Sequence, residues 1–298
     1  MAELTLSRYV KLGFRGLTNI ILKKPISVSF EITHSCSANC EHCNWGGRVM
    51  ETRLTPAEYG ELCRELKPLV AHLSGGEPLL RMDICDIASA ISNPGGTPIV
   101  QVVTHGANLT LQKYHELRRA GVDRFCVSLD FPDSRHDDWR HIPGLFNKLS
   151  NNLPEIALFK RNDILVNCCI TAANAQTLPD IVRVANSWGV GVNFSSYTSL
   201  RTDDPQFLVR QDGLARALRE SIKEVVSLKR AGYRVLTSDR VLWDHYNFLT
   251  TGNTRRCMAG YRFLVVNPDG QFTPCAMVMK YFRSQEQVVR EFSSINSC

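Results

Sequence analysis

Three cysteines, Cys36, Cys40 and Cys43, lie within one short segment in the spacing C-x3-C-x2-C. Cysteine thiolates bind both zinc and iron–sulfur clusters. A closed zinc site needs a fourth ligand, for which His34 and His42 are candidates, but such sites usually combine two paired motifs. Three thiolates on a [4Fe-4S] cluster leave one iron open, so that a substrate or cofactor can bind it directly. The triplet therefore favours an open iron–sulfur cluster over zinc.

The triplet follows the first of six apolar, β-branched segments that alternate with helical segments. The first helical segment has Thr55 as a cap and Pro56 at its first position. Strands separated by helices pair in parallel, which predicts an α/β fold with a partial (β/α)6 TIM-like barrel. Active-site loops in such folds follow the carboxyl ends of the strands, where the triplet lies. The predicted strands are 26–33, 69–74, 97–106, 123–130, 163–171 and 190–197.

The alternation of strands and helices divides the chain into four predicted regions. An amphipathic helix occupies 1–25, the core barrel 26–200 and a helical linker 201–254. From 255 to 298 the pattern changes to two short strands joined by the turn Asn267-Pro-Asp-Gly270. We therefore expect a small hairpin extension after the barrel.

Four later segments resemble, together with the triplet, the motifs of the radical S-adenosylmethionine (radical SAM) enzymes. GGEP at 75–78 is similar to that family's motif after the second strand. VTHGANL at 103–109 and VSLD at 127–130 resemble the family's third-strand and fourth-strand segments, and HDDWRHIPGLF at 136–146 resembles the stretch that follows. The resemblance covers roughly residues 26–200.

This resemblance implies that Cys36, Cys40 and Cys43 hold a [4Fe-4S] cluster whose open iron binds S-adenosylmethionine (SAM). It further implies reductive cleavage of SAM to a 5′-deoxyadenosyl radical, with electrons from a flavodoxin-type or ferredoxin-type donor. His42 departs from the family pattern, which usually has an aromatic residue over the adenine. The residues that the resemblance places against SAM are His42, Gly75, Gly76, Glu77, Thr104, Ser128, Asp130 and Asn167.

A hypothesis from another class is a catalytically silent iron–sulfur protein that carries electrons or serves as a scaffold. Such a protein has no need of the cofactor-facing residues at Gly75, Glu77 and Asp130. SAM binding distinguishes the two hypotheses.

Cys257 and Cys275 flank the predicted hairpin in the pattern C-x12-G-x4-C, with Gly270 in the turn. This resembles the first half of the SPASM or twitch extension, which binds auxiliary iron–sulfur clusters in many radical SAM enzymes. Cys298, at the end of the chain, is a third candidate ligand. We expect an auxiliary cluster domain that is incomplete in this chain. Two buried thiols and an unrelated terminal one are the alternative interpretation.

Composition limits the environment and the partners of the protein. Hydrophobic residues make up 44% and charged residues 21% of 298, and no apolar run is long enough to span a bilayer. The start of the chain lacks the apolar core of a secretory signal. A cytoplasmic protein is expected, in which the eleven cysteines are thiols or metal ligands rather than disulfides. The net charge of +6 is scattered, so we expect no nucleic-acid partner.

The segment 7–25 is the most basic part of the chain and has helical periodicity. Val10, Phe14, Leu17 and Ile21 recur at helical spacing, while Arg8, Lys11 and Arg15 lie between them. Two interpretations are open: the helix packs over the end of the core, or it contacts a membrane surface or a lipid substrate. The second interpretation slightly favours a lipid or isoprenoid as the unidentified substrate, rather than a peptide or a small cofactor precursor.

Overall fold

A computed structural model describes residues 6–93, 97–252 and 257–296. The strands are β1 Ser27–Thr33, β2 Val70–Gly75, β3 Ile99–Thr104, β4 Arg124–Ser128, β5 Ile164–Ile170, β6 Gly191–Ser196, β7 Phe263–Val266 and β8 Phe272–Thr273. The α-helices are α1 Leu6–Ile21, α2 Pro56–Leu66, α3 Ile84–Ile91, α4 Leu111–Arg119, α5 Arg135–Arg140, α6 Leu145–Ala157, α7 Leu178–Ser187, α8 Asp212–Arg230, α9 Asp239–Thr251 and α10 Gln285–Val288. Short 3-10 helices cover Pro78–Leu80 and Pro205–Phe207, and a π-helix covers Val289–Ser293.

All eight strands form one sheet in the order β6-β5-β4-β3-β2-β1-β7-β8. Strands β1 to β6 pair in parallel with their sequence neighbours, each connected through at least one helix. This confirms the predicted α/β fold, and each of the six predicted strands is present. The carboxyl ends of the six strands lie at one end of the sheet, and the loops that leave them carry the candidate site.

The two faces of the sheet differ in polarity. Val28, Phe30 and Ile32 of β1 are fully buried in the apolar core shared with the helices. Side chains on the opposite face of the strands are polar and bind each other, for example Ser29 to Ser74 with 2.6 Å between hydroxyl oxygens. One face is therefore the structural core, and the other offers a polar interior next to the site.

The C-terminal hairpin extends the barrel sheet itself. Strand β7 pairs in parallel with β1, from Ser27 opposite Phe263 to Phe30 opposite Val266. Strand β8 then pairs antiparallel with β7. The predicted helical linker holds α8 and α9, and between them Val235 forms a β-bridge with Val192 of β6. Both segments are thus hydrogen-bonded to the barrel sheet.

Helix α1 packs on the barrel through Arg8, Leu12, Gly16 and Asn19. Val10, Phe14, Leu17 and Ile21 are 64 to 77% exposed, whereas Arg8 and Asn19 are buried. The helix thus packs over the amino ends of the barrel strands, as the first interpretation expects, although most of its large apolar side chains stay exposed. None of the helices in the described ranges is both long enough and apolar enough to cross a membrane.

Candidate active site

The cysteine triplet lies on the loop that leaves β1, and this loop is closed by its own hydrogen bonds. The Cys36 N–H donates to the Gly47 carbonyl at 2.9 Å, and the Cys43 N–H donates to the Cys40 carbonyl at 3.0 Å. Cys36 and Cys40 are buried, and Cys43 is half-buried. The Ala38 and Trp45 N–H groups each lie 3.4 Å from a cysteine sulfur, those of Cys36 and Cys43. Such N–H···S contacts stabilise thiolate ligands of iron–sulfur clusters.

The three thiols line one cavity of about 210 Å³ together with the ends of four further strands. Within the described residues, no three His, Cys, Asp or Glu side chains are arranged to hold a single metal ion. Three thiols around a cavity of this size therefore fit a multi-atom cluster better than one zinc ion. The predicted site residues that line the cavity are Cys36, Cys40, Cys43, His42, Gly75, Gly76, Thr104, Ser128 and Asn167.

Burial favours the protonated form of the Cys36 and Cys40 thiols in the protein without metal. Burial raises the pKa of Cys36 to about 11, and nearby acidic groups add to the effect. Burial also raises the pKa of Cys40, although the Arg140 guanidinium opposes this. Cluster binding at these residues consequently displaces protons.

The glycines after β2 are required by the cysteine loop itself. A Cβ on Gly75 would lie 2.1 Å from the Thr33 carbonyl oxygen, and Gly75 has a φ of +126°. A Cβ on Gly76 would lie 2.3 Å from the Ser35 carbonyl oxygen. The Gly76 and Glu77 N–H groups donate to the Thr33 and Ser35 carbonyls at 2.7 and 2.9 Å. The two loops therefore touch backbone to backbone.

Glu77, predicted to accept from the cofactor, is fully buried and binds protein groups. Its carboxylate accepts from the Thr104 hydroxyl at 2.6 Å, the Leu79 N–H at 3.0 Å and the His105 N–H at 2.9 Å. The His105 ring also lies 3.2 Å from it and 2.9 Å from the Ser37 hydroxyl. Glu77 and Thr104 thus join the loops after β1, β2 and β3.

Asp130 lies behind the cavity wall and anchors Arg140. The Arg140 guanidinium donates to one Asp130 oxygen at 2.6 and 2.9 Å, and its third nitrogen lies 3.6 Å from the Cys40 sulfur. Burial alone would raise the pKa of the Asp130 carboxyl, but Arg140 and a hydrogen bond from the Cys169 N–H hold it below its ordinary value. A charged pair is therefore buried directly against a cluster thiol.

His42 is a buried neutral side chain at the cavity. Burial lowers its pKa to about 4, and its ring is stacked on Trp139 with 5.3 Å between centroids. Its Nδ1 atom is buried and has no hydrogen-bond partner in the described part of the chain. A buried ring nitrogen without a protein partner can form a hydrogen bond with a polar ligand, and the adenine of SAM is such a ligand.

Several cavity residues were absent from the sequence-based site. His105, Trp45 and Cys169 line the cavity, and Arg140 contacts a thiol. Arg140 and His105 lie inside motifs that the sequence analysis quoted. Cys169 follows Asn167 by the two-residue period of a strand, so its side chain was expected on the same face. These three residues could therefore have been predicted from the sequence. Trp45 gave no such signal.

The candidate auxiliary ligands lie at the hairpin. Ala259 bridges Phe263 at the start of β7, and Cys257 lies two residues before Ala259. Cys275 follows β8 by two residues and forms an antiparallel bridge with Val278. Cys298 lies outside the described residues. Their role as ligands stays a prediction.

Comparisons with known proteins give one family. Residues 30–153 match the model of the radical SAM superfamily. The chain is 26% identical over 264 residues to the PqqA peptide cyclase of Methylocella silvestris, covering 84% of this chain and 68% of that protein. It is 31% identical over 174 residues to the AdoMet-dependent heme synthase of Methanosarcina barkeri, covering 55% of this chain and 48% of that protein.

Among solved structures, the fold is similar to Streptococcus suis SuiB bound to its precursor peptide SuiA, with a TM-score of 0.66 and 15% identity. That match covers 89% of this chain and 63% of SuiB, so the chain spans less than two thirds of this neighbour. A second SuiB structure, bound to S-adenosylmethionine, gives a TM-score of 0.69.

Proposed function

We propose that this chain, a member of the radical SAM superfamily, uses SAM-derived radical chemistry to modify a peptide. The observation that carries the proposal is the single cavity that joins three cluster-type thiols to the ends of β2, β3, β4 and β5. When bound there, a [4Fe-4S] cluster and SAM supply reductive cleavage to a 5′-deoxyadenosyl radical. The chain supplies the ligands, the walls of the cavity and the surrounding charges.

The protein groups around the cavity have separate tasks in this proposal. Cys36, Cys40 and Cys43 hold the cluster, with Arg140 placing a positive charge beside the Cys40 sulfur. His42, neutral at pH 7 because its pKa is about 4, offers a hydrogen bond to the adenine. Glu77 acts as a positioning residue, since its carboxylate is occupied by groups of the neighbouring loops.

A pair of side chains beside the cavity supports a substrate with a carboxylate. The Arg201 guanidinium lies 4.4 Å above the Trp45 ring, and Trp45 lines the cavity. Arg201 Nε and Nη2 and Trp45 Nε1 are buried and have no hydrogen-bond partner within the described ranges. All three atoms are donors, so they suit an anionic acceptor. An acidic peptide side chain or a peptide C-terminus has this chemistry.

The position of α1 removes the argument for a lipid substrate. That argument depended on the apolar basic helix, but α1 contacts segments that precede β1 to β4, at the end of the barrel opposite the cysteine loop. The similarity to a PqqA peptide cyclase over 84% of the chain supports a peptide instead. A small cofactor precursor is the second candidate, supported by the similarity to a heme synthase.

Two further components belong to the proposal. A flavodoxin-type or ferredoxin-type protein supplies the electron, because SAM cleavage at the cluster is reductive. Cys257 and Cys275 contribute to an auxiliary iron–sulfur cluster next to β7.

The reaction class is tested on anaerobically reconstituted protein with SAM and dithionite. Wild type is expected to release 5′-deoxyadenosine, and the variant carrying C36A, C40A and C43A is expected to release none because the cluster ligands are gone. C85A, which removes a half-buried thiol of α3 outside the site, is the matched control and should retain release. An intact cluster without any SAM cleavage would contradict the proposal and favour an electron carrier.

The substrate class is tested with two peptide pools. The acidic pool contains Asp and Glu, and the neutral pool has Asn and Gln at the same positions. The acidic pool is expected to stimulate 5′-deoxyadenosine formation and, when deuterated, to transfer deuterium into it. R201Q should raise KM for the acidic pool about tenfold or more with kcat little changed, since a charged hydrogen bond is lost. R183Q, on the exposed surface of α7, is the control. Stimulation by porphyrin precursors and by neither pool would overturn the peptide assignment.

A further inference from the structure

Helix α1 is fixed to the barrel through buried polar groups. The Arg8 guanidinium donates to both Asp123 oxygens at 2.7 Å and to the Pro98 carbonyl at 3.1 Å. The Asn19 amide donates to the Pro25 and Lys67 carbonyls, each at 2.9 Å. These acceptors precede β4, β3, β1 and β2 respectively, so the helix crosses the amino ends of four strands.

The outward face of α1 is a stripe of large apolar side chains. They share an exposure of 46% or more along three to four helical turns, which is unusual for a helix that is firmly docked. The members of this apolar stripe are Leu6, Tyr9, Val10, Phe14, Leu17, Ile20 and Ile21, and Leu22 continues it at 59%. The buried side of α1 thus combines polar anchors with Leu12, while most of the large apolar side chains of the helix remain outside.

Basic side chains surround a cavity that adjoins the helix. Arg15 of α1, Arg64 of α2 and Lys67 line this cavity, which has a volume of about 340 Å³. Lys23 and Lys24 follow the C-terminus of α1, and the Lys24 ammonium donates to the Glu65 carbonyl at 3.2 Å. Guanidinium and ammonium groups such as these can pair with phosphate groups.

We propose that the apolar stripe and the basic cavity dock the protein on the surface of an anionic phospholipid bilayer. The stripe enters the boundary between headgroups and acyl chains, and Arg15, Arg64 and Lys67 pair with lipid phosphates. Two contributions bind interfacial helices to anionic membranes: the burial of apolar side chains in the lipid and the attraction between flanking cations and anionic headgroups.

Charge complementarity favours a bilayer over a second copy of this chain. In a two-fold dimer each stripe meets the same stripe, which brings the flanking cations of both copies together. An anionic bilayer neutralises those cations while it covers the same apolar side chains. The docked orientation leaves the cavity with the three thiols at the opposite end of the barrel, facing away from the membrane.

The test is co-sedimentation of the full chain with vesicles of phosphatidylcholine alone or mixed with phosphatidylglycerol. Binding is expected on the anionic vesicles, with a loss as salt rises and little binding to phosphatidylcholine alone. F14S/L17S should weaken binding by about tenfold or more, because two large apolar side chains no longer enter the lipid. R15Q/R64Q should weaken binding to anionic vesicles by about 25-fold, at roughly fivefold per cation.

The matched control is M82S/L158S, which changes two side chains that are 98 and 77% exposed outside α1 and should leave vesicle binding unchanged. Equal binding of wild type and F14S/L17S would overturn the proposal. The proposal would also be overturned if wild type were a dimer, F14S/L17S were a monomer and neither protein bound vesicles. Because no SAM cleavage is measured here, failure of the docking proposal is distinguishable from failure of the proposed enzymatic function.

Discussion

The pair Asp130 and Arg140 is the residue-scale feature on which the cysteine loop depends most. Asp130 is fully buried, and Arg140 is 8% exposed. The Arg140 backbone also accepts a hydrogen bond from the Asn39 N–H at 3.2 Å, so this residue binds the loop through both its side chain and its main chain. Removing one member of a buried pair leaves the other charge without compensation.

R140M is therefore expected to reduce the free energy of unfolding by about 3 to 5 kcal/mol. The matched control is R135Q, because Arg135 and Asp133 form a pair that is 54 and 47% exposed. Such an exposed pair contributes about 1 kcal/mol or less. Urea denaturation of the three proteins measures the difference, and similar losses in both variants would contradict the structural role of the buried pair.

At the scale of elements, the site depends on the contact between the loops after β1 and β2. Gly76 has no room for a side chain, because the Ser35 and His34 carbonyl oxygens would lie 2.3 and 2.6 Å from its Cβ. Both obstacles are backbone atoms of the cysteine loop, so a side chain there must displace the loop. Glu77 then connects this pair of loops to the loop after β3.

G76A is expected to lower the iron content after reconstitution several-fold and to destabilise the fold by about 1 to 3 kcal/mol, as overpacking does. G13A is the matched control, since a Cβ at Gly13 meets nothing within 4 Å. Iron and sulfide analysis with thermal unfolding checks both expectations. Full cluster assembly in G76A would show that the loop contact is dispensable.

At the scale of the whole molecule, the polar interior of the barrel makes stability depend on pH. Burial lowers the pKa of His72 to about 4 and that of His136 to about 3. Both side chains are therefore neutral in the folded protein at pH 7. Below about pH 6.5 the unfolded chain takes up protons at these positions that the folded chain does not, so stability falls as the pH falls towards 4.

Each of these histidines is expected to remove roughly 2 kcal/mol of stability between pH 7 and pH 5. H72Q should shrink the measured loss by roughly that amount, because glutamine does not titrate. S29A, a non-titrating change on the same polar face, is the control and should keep the full loss. Urea denaturation at the two pH values measures it, and an identical pH dependence in H72Q would contradict the expected protonation state.

The sequence by itself determined the order of strands and helices and the strand ends at which the candidate site residues lie. Both follow from local patterns: strand and helix periods are read over a few residues, and parallel strands bring their carboxyl ends together. The structure places Cys36, Cys40 and Cys43 around one cavity together with Gly75 and Ser128. Their roles as cluster ligands and cofactor contacts stay predictions.

Only the tertiary structure decided which of these residues face the cavity and which hold it in place. Arg140 and Cys40 are 100 residues apart in sequence, and Glu77 and Thr104 are 27 apart, so no local pattern connects them. The same holds for α1: helical periodicity identifies an apolar face but does not say which face is buried. Here Arg8 binds Asp123, 115 residues away, and is buried together with Leu12, Gly16 and Asn19, which leaves the apolar stripe outside.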